Sequence, residues 1–326
     1  MTRVLVTGAT GFVGANLARR LVARGDEVHL FVRSTSDRWR LRDLQTDLQQ
    51  HEVDLRDDGA VSRAVAEVRP QTVFHLAVYG AYPHQMGLQE MVLSNVTGTA
   101  NLVQAAFRNG AEAFVNTGSS SEYGFQDHAP VESEPVAPNS DYAVTKASAT
   151  LYCQYIARSL KVHLPTLRLY SVYGPYEEPG RLIPTLILRG LEGQLPPLVR
   201  PDIARDYVYV DDVLDAYLRV AEPPAAGTDV ELGAVYNVGS GVQTTLADVV
   251  TLTRELMGIK AEPSWGSMGE RVWDTSTWVS DSRKIQRALG WRTQHSLEQG
   301  FRETMQWFRE HPDFIELYRK RMSKSQ

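Results

Sequence analysis

Tyr142 and Lys146 are separated by three residues in a segment that predicts a helix, so both side chains lie on one helix face. A tyrosine hydroxyl titrates near ~10 in water, and a nearby ammonium group favours the phenolate and lowers that pKa. Such a tyrosine can exchange a proton with a carbinol oxygen while hydride moves at the carbon. The alternative is a surface tyrosine and lysine on an amphipathic helix.

Three glycines follow the first apolar run, Val4-Leu5-Val6, and precede a helical pattern over residues 15–22. This order of strand, turn and helix is the context of a dinucleotide fingerprint. Gly8 can make the tight turn, Gly11 lets the backbone approach a pyrophosphate, and Gly14 lets the helix lie close to the strand. The helix N-terminus also offers free N–H groups to that phosphate. We expect cofactor contacts from Gly8, Thr10, Gly11, Phe12, Val13 and Gly14.

Apolar strands and helical patterns alternate through the first half of the chain. Strands are predicted at 27–32, 53–55, 72–77, 113–117 and 163–170, and helices at 61–68, 91–107 and 140–160. Alternation at this spacing predicts an α/β fold, with a doubly wound parallel sheet of the Rossmann type.

The pattern changes after Gly174-Pro175, where prolines become frequent. Helices are predicted at 182–192, 211–221, 245–257 and 296–310, with short strands near Tyr207 and Tyr236. We therefore expect an NAD(P)-binding Rossmann domain at 1–175 and a smaller C-terminal substrate-binding lobe at 176–326, with segments free to cross back.

Composition excludes several classes of protein. The 326 residues are 43% hydrophobic and 22% charged, with a formal net charge of −5, which favours neither nucleic acid nor an anionic membrane. The single cysteine, Cys153, is expected to be a small buried residue, and the eight histidines lack metal-ligand spacing. With no leader and no membrane-length apolar run, we expect a cytoplasmic protein without a membrane or metal partner.

Further motifs occur along the chain in a definite order. They are Thr7-Gly8-Ala9-Thr10-Gly11-Phe12-Val13-Gly14, His75-Leu76-Ala77, Asn95-Val96-Thr97-Gly98-Thr99, the serines before Tyr123-Gly124, Tyr142 with Lys146, Arg168-Leu169-Tyr170 through Gly174-Pro175, and Arg205-Asp206-Tyr207-Val208-Tyr209-Val210-Asp211-Asp212. Nearly the whole chain thus resembles the extended short-chain dehydrogenases that act on nucleotide sugars: 4-epimerases, 4,6-dehydratases, decarboxylases and 4-ketoreductases. The C-terminal half is most similar to the 4-ketoreductases of deoxysugar pathways.

The resemblance implies a catalytic triad of a hydroxyl residue, Tyr142 and Lys146. Its hydroxyl residue sits four before Tyr123, which is Ser119, or Ser120 if the loop is contracted by one residue. The resemblance also implies cofactor contacts from Asp54, which would accept from the adenine amino group or only cap its strand, and from Leu55, Leu76, Ala77, Asn95, Tyr142 and Lys146. The implied substrate contacts are Tyr79, His84, Ser120, Ser121, Ser171, Arg181, Arg205 and Arg271. Of these, Arg205 and Arg271 are implied to bind the substrate diphosphate, with a surface charge as the alternative for each. Ser171 replaces the family's usual asparagine, and a simple loop residue is an equal alternative for His84.

Arg33 ends the second strand, where relatives specific for NAD carry an aspartate for the ribose hydroxyls. An arginine cannot accept from those hydroxyls, but it suits a 2′-phosphate through paired N–H donors, and Ser34 and Arg38 can add contacts. We therefore expect NADP(H) to be favoured over NAD(H). The alternative is a solvated arginine at a strand end.

Three functions remain open on the sequence. The first is NADPH-dependent reduction of a nucleotide-linked 4-keto sugar, with Tyr142 as the proton donor. The second is a nucleotide-sugar 4-epimerase with a retained dinucleotide, and the third is a non-catalytic dinucleotide-sensing regulator. Dehydration is disfavoured because Ser120 and Ser121 replace the acidic pair of the dehydratases, leaving Glu122 as the nearest acid. The resemblance also implies a homodimer, with apolar faces from Leu102, Val103, Phe107, Leu151, Tyr155 and Leu160.

Overall fold

The strands and helices follow the alternation that the sequence predicts. The structure is a computed structural model and describes residues 1–44, 46–81, 85–223, 231–269 and 274–323. The strands are β1 (Arg3–Thr7), β2 (Glu27–Val32), β3 (Gln49–Glu52), β4 (Thr72–His75), β5 (Ala113–Ser119), β6 (Thr166–Leu169), β7 (Ser171–Tyr173), β8 (Ala204–Arg205), β9 (Tyr207–Tyr209), β10 (Val235–Val238) and β11 (Thr244–Thr245). The helices are α1 (Phe12–Arg24), α2 (Asp58–Val68), α3 (Leu88–Met91), α4 (Gly98–Arg108), α5 (Asp141–Leu160), α6 (Leu182–Gly190), α7 (Val210–Ala221), α8 (Leu246–Met257), α9 (Arg283–Leu289), α10 (Leu297–Glu310) and α11 (Pro312–Met322).

Seven parallel strands form the main sheet, in the order β3-β2-β1-β4-β5-β6-β10. Successive side chains of a strand point to opposite faces, so Val4 and Val6 join one hydrophobic core while Leu5 joins the other. The first core includes residues of α1 and α7, and the second includes residues of α2, α4 and α5. Apolar residues on both faces of β1 explain its continuous hydrophobic run. The predicted Rossmann-type α/β fold is confirmed.

The second half of the chain does not lie wholly apart from the sheet. Its strand β10 pairs with β6, and its helix α7 packs against α1 and β5. The helix α11 packs on the short helical turn Trp39–Leu41, where the rings of Trp39 and Tyr318 lie 5.7 Å apart, and α10 joins this aromatic cluster through Trp307, whose ring lies 4.9 Å from that of Phe314. A division into a cofactor half at 1–175 and a substrate half at 176–326, with these segments crossing back, remains a proposal.

The third strand lies earlier in the chain than predicted. The prediction at 53–55 was wrong, because it followed the apolar residues Val53 and Leu55. The observed strand, Gln49–Glu52, is polar and forms the edge of the sheet. An edge strand pairs on one side only and needs little apolar burial, so its sequence carries a weak hydrophobic signal. Asp54 and Leu55 instead follow the strand.

Other boundaries also differ from the predictions. β4 ends at His75, so Leu76 and Ala77 lie in the loop beyond it, and β6 is confined to 166–169. The predicted helix at 91–107 contains a π-helical segment, Val92–Thr97, between α3 and α4. The helices α9 and α11 and the short strands β7, β8 and β11 were not predicted. Among the described residues, no helix is long and apolar enough to cross a membrane.

Candidate active site

The glycine turn between β1 and α1 has the geometry that a dinucleotide fingerprint requires. Gly8 adopts the left-handed conformation, with φ +73°, and its carbonyl accepts from Gly11 N at 2.9 Å. A Cβ on Gly14 would lie 2.3 Å from Gly8 O, so only glycine lets α1 approach the turn. A Cβ on Gly11 would meet only Gly8 O, at 3.2 Å, among the described residues. The backbone there is open to a ligand such as a pyrophosphate.

The start of α1 supplies hydrogen-bond donors to the same place. Its cap residue is Gly11, so no side chain caps the first N–H groups, and these groups favour an anion. Phe12 and Val13 occupy the first turn and are partly buried. Arg40 Nη1 donates to the carbonyl of Thr10 at 3.2 Å, and this contact holds the glycine turn between β1 and α1 in place. These residues therefore fit a dinucleotide.

Tyr142 and Lys146 lie in the first turns of α5, which begins where Ser140 caps Ala143 N. Lys146 is buried, and its Nζ donates to Thr117 O on β5 at 2.5 Å. Burial lowers the pKa of Lys146, whereas the Glu122 carboxylate acts to raise it. The helix thus directs the lysine to the carboxyl end of β5, two residues before Ser119.

Ser119 ends β5 and caps the helical turn Ser120–Tyr123. Its Oγ accepts from Ser121 N at 3.2 Å and lies 2.7 Å from Ser121 Oγ, while its own N–H donates to Glu122 Oε1 at 2.8 Å. This reciprocal capping box fixes the loop. Ser120 is buried and Ser119 is partly exposed. The geometry leaves the choice of catalytic hydroxyl between them as a prediction.

A buried ion pair supports this loop from beneath. The Glu122 carboxylate is fully buried and accepts from Arg168 Nε at 2.8 Å and from Thr150 Oγ1 at 3.1 Å. The Arg168 guanidinium lies over the Tyr123 ring, 4.5 Å from its centroid. This role of Glu122 and Arg168 was not predicted: Glu122 was expected only as a candidate acid, and Arg168 only as part of a motif. Ser119 followed by glutamate three residues later is the capping-box spacing, and this signal in the sequence predicts the turn.

A chain of hydrogen bonds joins the fingerprint strand to α4 through His75. Thr7 Oγ1 lies 2.7 Å from His75 Nδ1, and His75 Nε2 lies 2.8 Å from Thr99 Oγ1. Thr99 donates its proton to Asn95 O at 2.6 Å, so it must accept from His75 Nε2–H. His75 Nδ1 then accepts from Thr7, which itself accepts from Ala77 N at 3.3 Å. Burial lowers the pKa of His75 to about 3, so this neutral tautomer persists at physiological pH.

Asn95 connects the π-helical segment to the tyrosine helix. Its Oδ1 accepts from Tyr79 N, and its Nδ2 donates to Tyr79 O, both at 2.8 Å. The same Nδ2 donates to Thr145 Oγ1 at 2.9 Å, and Thr145 donates to Tyr142 O at 2.9 Å. Asn95 therefore holds the loop after β4 against the backbone of Tyr142.

The predicted ribose end of the site carries two arginines around one carboxylate. Arg33 and Ser34 are exposed beyond β2. The Asp54 carboxylate is bound by Arg56, with Nη2 at 2.6 Å, and this contact lowers the pKa of Asp54. Leu55 lies against Gly98, where an added Cβ would come within 3.0 Å of Leu55 Cβ. The backbone of Leu76 and Ala77 lies against Gly8, where an added Cβ would come within 2.5 Å of it. Asp54 would have to share or release Arg56 to bind an adenine amino group.

The positive charges of the predicted substrate residues Arg181 and Arg205 both influence the pKa of Tyr207. Each of their charges lowers the pKa of the Tyr207 hydroxyl, which burial raises strongly. Arg205 Nη2 contacts Asp274 Oδ1 at 3.5 Å, and Arg181 is exposed at the start of α6.

Asp206, which lies between Arg205 and Tyr207 in the chain, anchors the loops that carry Ser240 and Ser280. Its buried carboxylate accepts from Ser240 N and Oγ at 2.7 and 2.6 Å, and from Ser280 N and Oγ at 2.9 and 2.6 Å. Burial raises the pKa of Asp206, and these hydrogen bonds oppose the rise. Ser171 is tied to the same residue, because its N–H donates to Asp206 O at 2.9 Å. His84 and Arg271 lie outside the described residues.

Comparison with known proteins decides the family. Residues 4–239 match the profile of the NAD dependent epimerase/dehydratase family. The chain belongs to this family. It is 30% identical to a UDP-glucose 4-epimerase of Mycolicibacterium smegmatis, over 94% of this chain and 98% of the relative. It is also 30% identical to a dTDP-glucose 4,6-dehydratase of Streptomyces griseus, over 97% and 96% of the two chains.

A solved structure is similar over the same extent. The UDP-glucose 4-epimerase of Thermus thermophilus, in complex with NAD, has a TM-score of 0.81 and 30% identity, and the match covers 94% of this chain and 99% of that one. Membership of this epimerase/dehydratase family confirms that the chain is an NAD(P)-dependent nucleotide-sugar enzyme. Among the described residues, no group of His, Cys, Asp and Glu side chains could hold a metal ion.

Proposed function

We propose that this member of the epimerase/dehydratase family carries out oxidoreduction at C4 of a nucleotide-linked sugar, and that its net reaction is NADPH-dependent reduction of a 4-keto sugar. The observation that carries the first part is the position of Tyr142 and Lys146 on one face of α5, with Lys146 Nζ at the carboxyl end of β5. The observation that favours net reduction is Arg33 at the end of β2.

In this proposal, Tyr142 gives its proton to the oxygen at C4, and Ser119 hydrogen-bonds the same oxygen. Lys146 stabilises the phenolate that remains, because its ammonium group is held beside the strand end by Thr117 O. A bound nicotinamide dinucleotide supplies or receives the hydride. Arg205, together with Arg271, which lies outside the described residues, binds the diphosphate, whose charge the two arginines match.

Dehydration is not supported by the arrangement around Ser119. The remaining acid near the loop, Glu122, is fully buried and bound by Arg168, Thr150 and the Ser119 N–H. It therefore has no oxygen directed at a substrate, and removing a proton from C5 would require an exposed carboxylate. The similarity to dehydratases extends to the fold and not to their acidic pair.

A 4-epimerase is the second candidate, and the similarity to UDP-glucose 4-epimerases favours it. An epimerase must oxidise C4 and reduce it again with the same dinucleotide, so it retains its cofactor. The deciding experiment measures the dinucleotide content of purified protein, then screens UDP-, TDP-, CDP- and GDP-linked sugars and 4-keto sugars with and without NADPH. A reductase consumes NADPH only with a 4-keto sugar. An epimerase interconverts the parent sugars without added cofactor.

The choice of cofactor is tested by Arg33→Asp. In the wild type, a bidentate contact from Arg33 to a 2′-phosphate would contribute roughly 1.5–3 kcal/mol, or about one to two powers of ten in affinity. In the variant a carboxylate repels the phosphate and accepts from ribose hydroxyls, so we expect the preference for NADPH to disappear or reverse. Calorimetric titration with NADPH and NADH measures this directly. Equal wild-type affinity for both cofactors would make Arg33 a solvated side chain.

Two single variants identify the catalytic hydroxyl. Ser119→Ala removes the hydrogen bond to the C4 oxygen and should lower kcat about 10-fold, the size of one lost hydrogen bond. Ser120→Ala is the matched control, because it removes the neighbouring hydroxyl from the same turn. Steady-state kinetics of both variants decides the assignment. Loss of activity in Ser120→Ala alone would move the catalytic residue by one position.

We also propose a homodimer, formed through one face of α5. Val144, Leu151 and Tyr155 recur at helical spacing and are exposed, as is Leu160 at the end of the helix. Leu102 and Val103 of α4 were predicted to belong to a second apolar face of the dimer, which was wrong, because both are buried within the chain. Light scattering at micromolar concentration should give a dimer mass for the wild type and a monomer mass for Leu151→Glu. A wild-type monomer would contradict the proposal.

A further inference from the structure

Arg40 is a buried arginine that lies between the glycine turn and the second half of the chain. It belongs to the helical turn Trp39–Leu41 and is only 4% exposed. Its Nη1 donates to Thr10 O at 3.2 Å, its Nε donates to Tyr176 O at 2.7 Å, and its Nη2 donates to Glu178 Oε2 at 2.7 Å. One guanidinium group thus binds three acceptors in two loops that are far apart in the sequence.

An arginine is the side chain that this arrangement requires. Its planar guanidinium group carries five N–H donors in fixed directions, whereas a lysine ammonium is a single point charge on a flexible stem. A buried charge is costly unless it is paired, and the Glu178 carboxylate supplies the partner. The Arg40 Cζ also lies over the Trp39 ring, 4.2 Å from its centroid. The guanidinium group is therefore held in one orientation, from which it fixes its two carbonyl partners.

The loop after β7 gives this arginine a firm support. Asn16 Nδ2, on α1, donates to Pro175 O at 2.9 Å and to Phe12 O at 3.1 Å. Tyr176 adopts φ +68°, a left-handed conformation that is uncommon outside glycine and persists only where the surrounding contacts hold it. The loop after β7 thus meets the cofactor-binding region at two places, through Asn16 in the first turns of α1 and through Arg40 just before that helix.

The Thr10 carbonyl is the group through which this support reaches the dinucleotide site. It belongs to the same planar peptide unit as the Gly11 N–H, and in a trans peptide these two groups point in opposite directions. The Gly11 N–H donates to Gly8 O at 2.9 Å, and Arg40 binds the opposite end of the same peptide unit. The carbonyl oxygen is thereby kept against the buried arginine. A carbonyl turned toward a phosphate would repel it, because both oxygens carry negative charge.

We propose that Arg40 is a positioning residue for the dinucleotide: by holding the Thr10 carbonyl away from the ligand, it presents the N–H groups at the start of α1 to the pyrophosphate. This function requires no contact between Arg40 and the cofactor. The inference depends on the dinucleotide binding of the family and not on the net reaction that we propose. NADPH and NADH share the pyrophosphate, so the effect of Arg40 should be equal for both, unlike that of Arg33.

The test is Arg40→Met, which keeps much of the bulk of the side chain and removes all three hydrogen bonds. Calorimetric titration of the full chain should show that the Kd values for NADPH and for NADH both rise about tenfold, the size of one lost hydrogen bond. At saturating dinucleotide kcat should change little, because contacts with β5 and with Asn95 hold the helix of Tyr142 and Lys146. An arginine that served only the stability of the fold would leave both Kd values of the folded protein unchanged.

Two further variants separate positioning from stability. Arg40→Lys keeps the charge beside Glu178 but cannot bind both carbonyls in the same way, so it should regain stability while its Kd values remain raised. It also keeps the inference testable if Arg40→Met does not fold. The matched control is Arg42→Met, because the Arg42 guanidinium lies over the Phe314 ring of α11, 4.1 Å from its centroid. This control should bind NADPH and NADH as the wild type does.

Three results would overturn the inference. They are wild-type Kd values in either Arg40 variant, an equal rise in Arg42→Met, and a rise for NADPH alone, which would place Arg40 beside the 2′-phosphate. None of them bears on the proposed reduction of a 4-keto sugar, which the substrate screen tests separately. If the wild type binds neither NADPH nor NADH, the proposed function fails and this inference fails with it.

Discussion

Tyr142→Phe should lower turnover by roughly 10²–10⁴, the usual contribution of general acid–base catalysis. The substitution removes one hydroxyl and leaves the rest of the helix unchanged. Its backbone carbonyl still accepts from Thr145, and Lys146 still donates to Thr117 O. The measurement is kcat on the sugar identified by the screen, with calorimetric affinity for the dinucleotide measured on the same preparation.

The cofactor affinity is the control for this prediction. If the Tyr142 hydroxyl acts on the substrate oxygen, the dinucleotide should bind the variant nearly as well as the wild type. A fall in turnover with a parallel loss of cofactor binding would point to a disturbed site and not to a missing acid. Unchanged turnover in the purified variant would contradict the assignment, and with it the preference for an enzyme over a dinucleotide-sensing regulator.

Arg168→Met should destabilise the protein by about 3–5 kcal/mol, the usual result of removing one partner from a buried ion pair. Methionine fills much of the space but leaves the Glu122 carboxylate fully buried, and within the described part of the chain its remaining donors are the Ser119 N–H and the Thr150 hydroxyl. The free energy of unfolding in urea, followed by tryptophan fluorescence, measures the loss.

The double variant Arg168→Met/Glu122→Gln is the control for the charge. Glutamine keeps the shape of Glu122 but removes the uncompensated charge, so the double variant should be more stable than Arg168→Met alone. The Glu122 carboxylate also favours the charged form of Lys146. Its loss in the double variant should lower the pKa of Lys146 further, and the pH dependence of turnover should shift with it. An Arg168→Met variant within about 1 kcal/mol of the wild type would show that the pair contributes little.

The ion pair supports the proposal that this site differs from a dehydratase site. The resemblance implies that serines replace the acidic pair of the dehydratases, and the nearby glutamate has a structural function. Its carboxylate fixes the turn that carries Ser119 and opposes the lowering of the Lys146 pKa by burial. The same residue type therefore supports the geometry of the proposed triad without touching the substrate.

The alternation of strands and helices in the first half of the chain, and the local motifs, were predictable from the sequence. The glycine spacing predicted the turn between β1 and α1, since only glycine fits the positive φ of Gly8 and the 2.3 Å approach at Gly14. The spacing of Tyr142 and Lys146 predicted that they share a helix face. Apolar runs predicted the buried strands, but the same signal misplaced β3, because a polar edge strand has little apolar surface to bury.

Which distant residues meet depends on the packing of the chain in three dimensions. Glu122 with Arg168, and His75 with Thr7 and Thr99, come from separate elements. A sequence pattern records local periodicity, whereas these contacts depend on the order of strands and on how the lobe packs against the sheet. Burial, which lowers the pKa values of Lys146 and His75, is likewise a property of the packed chain.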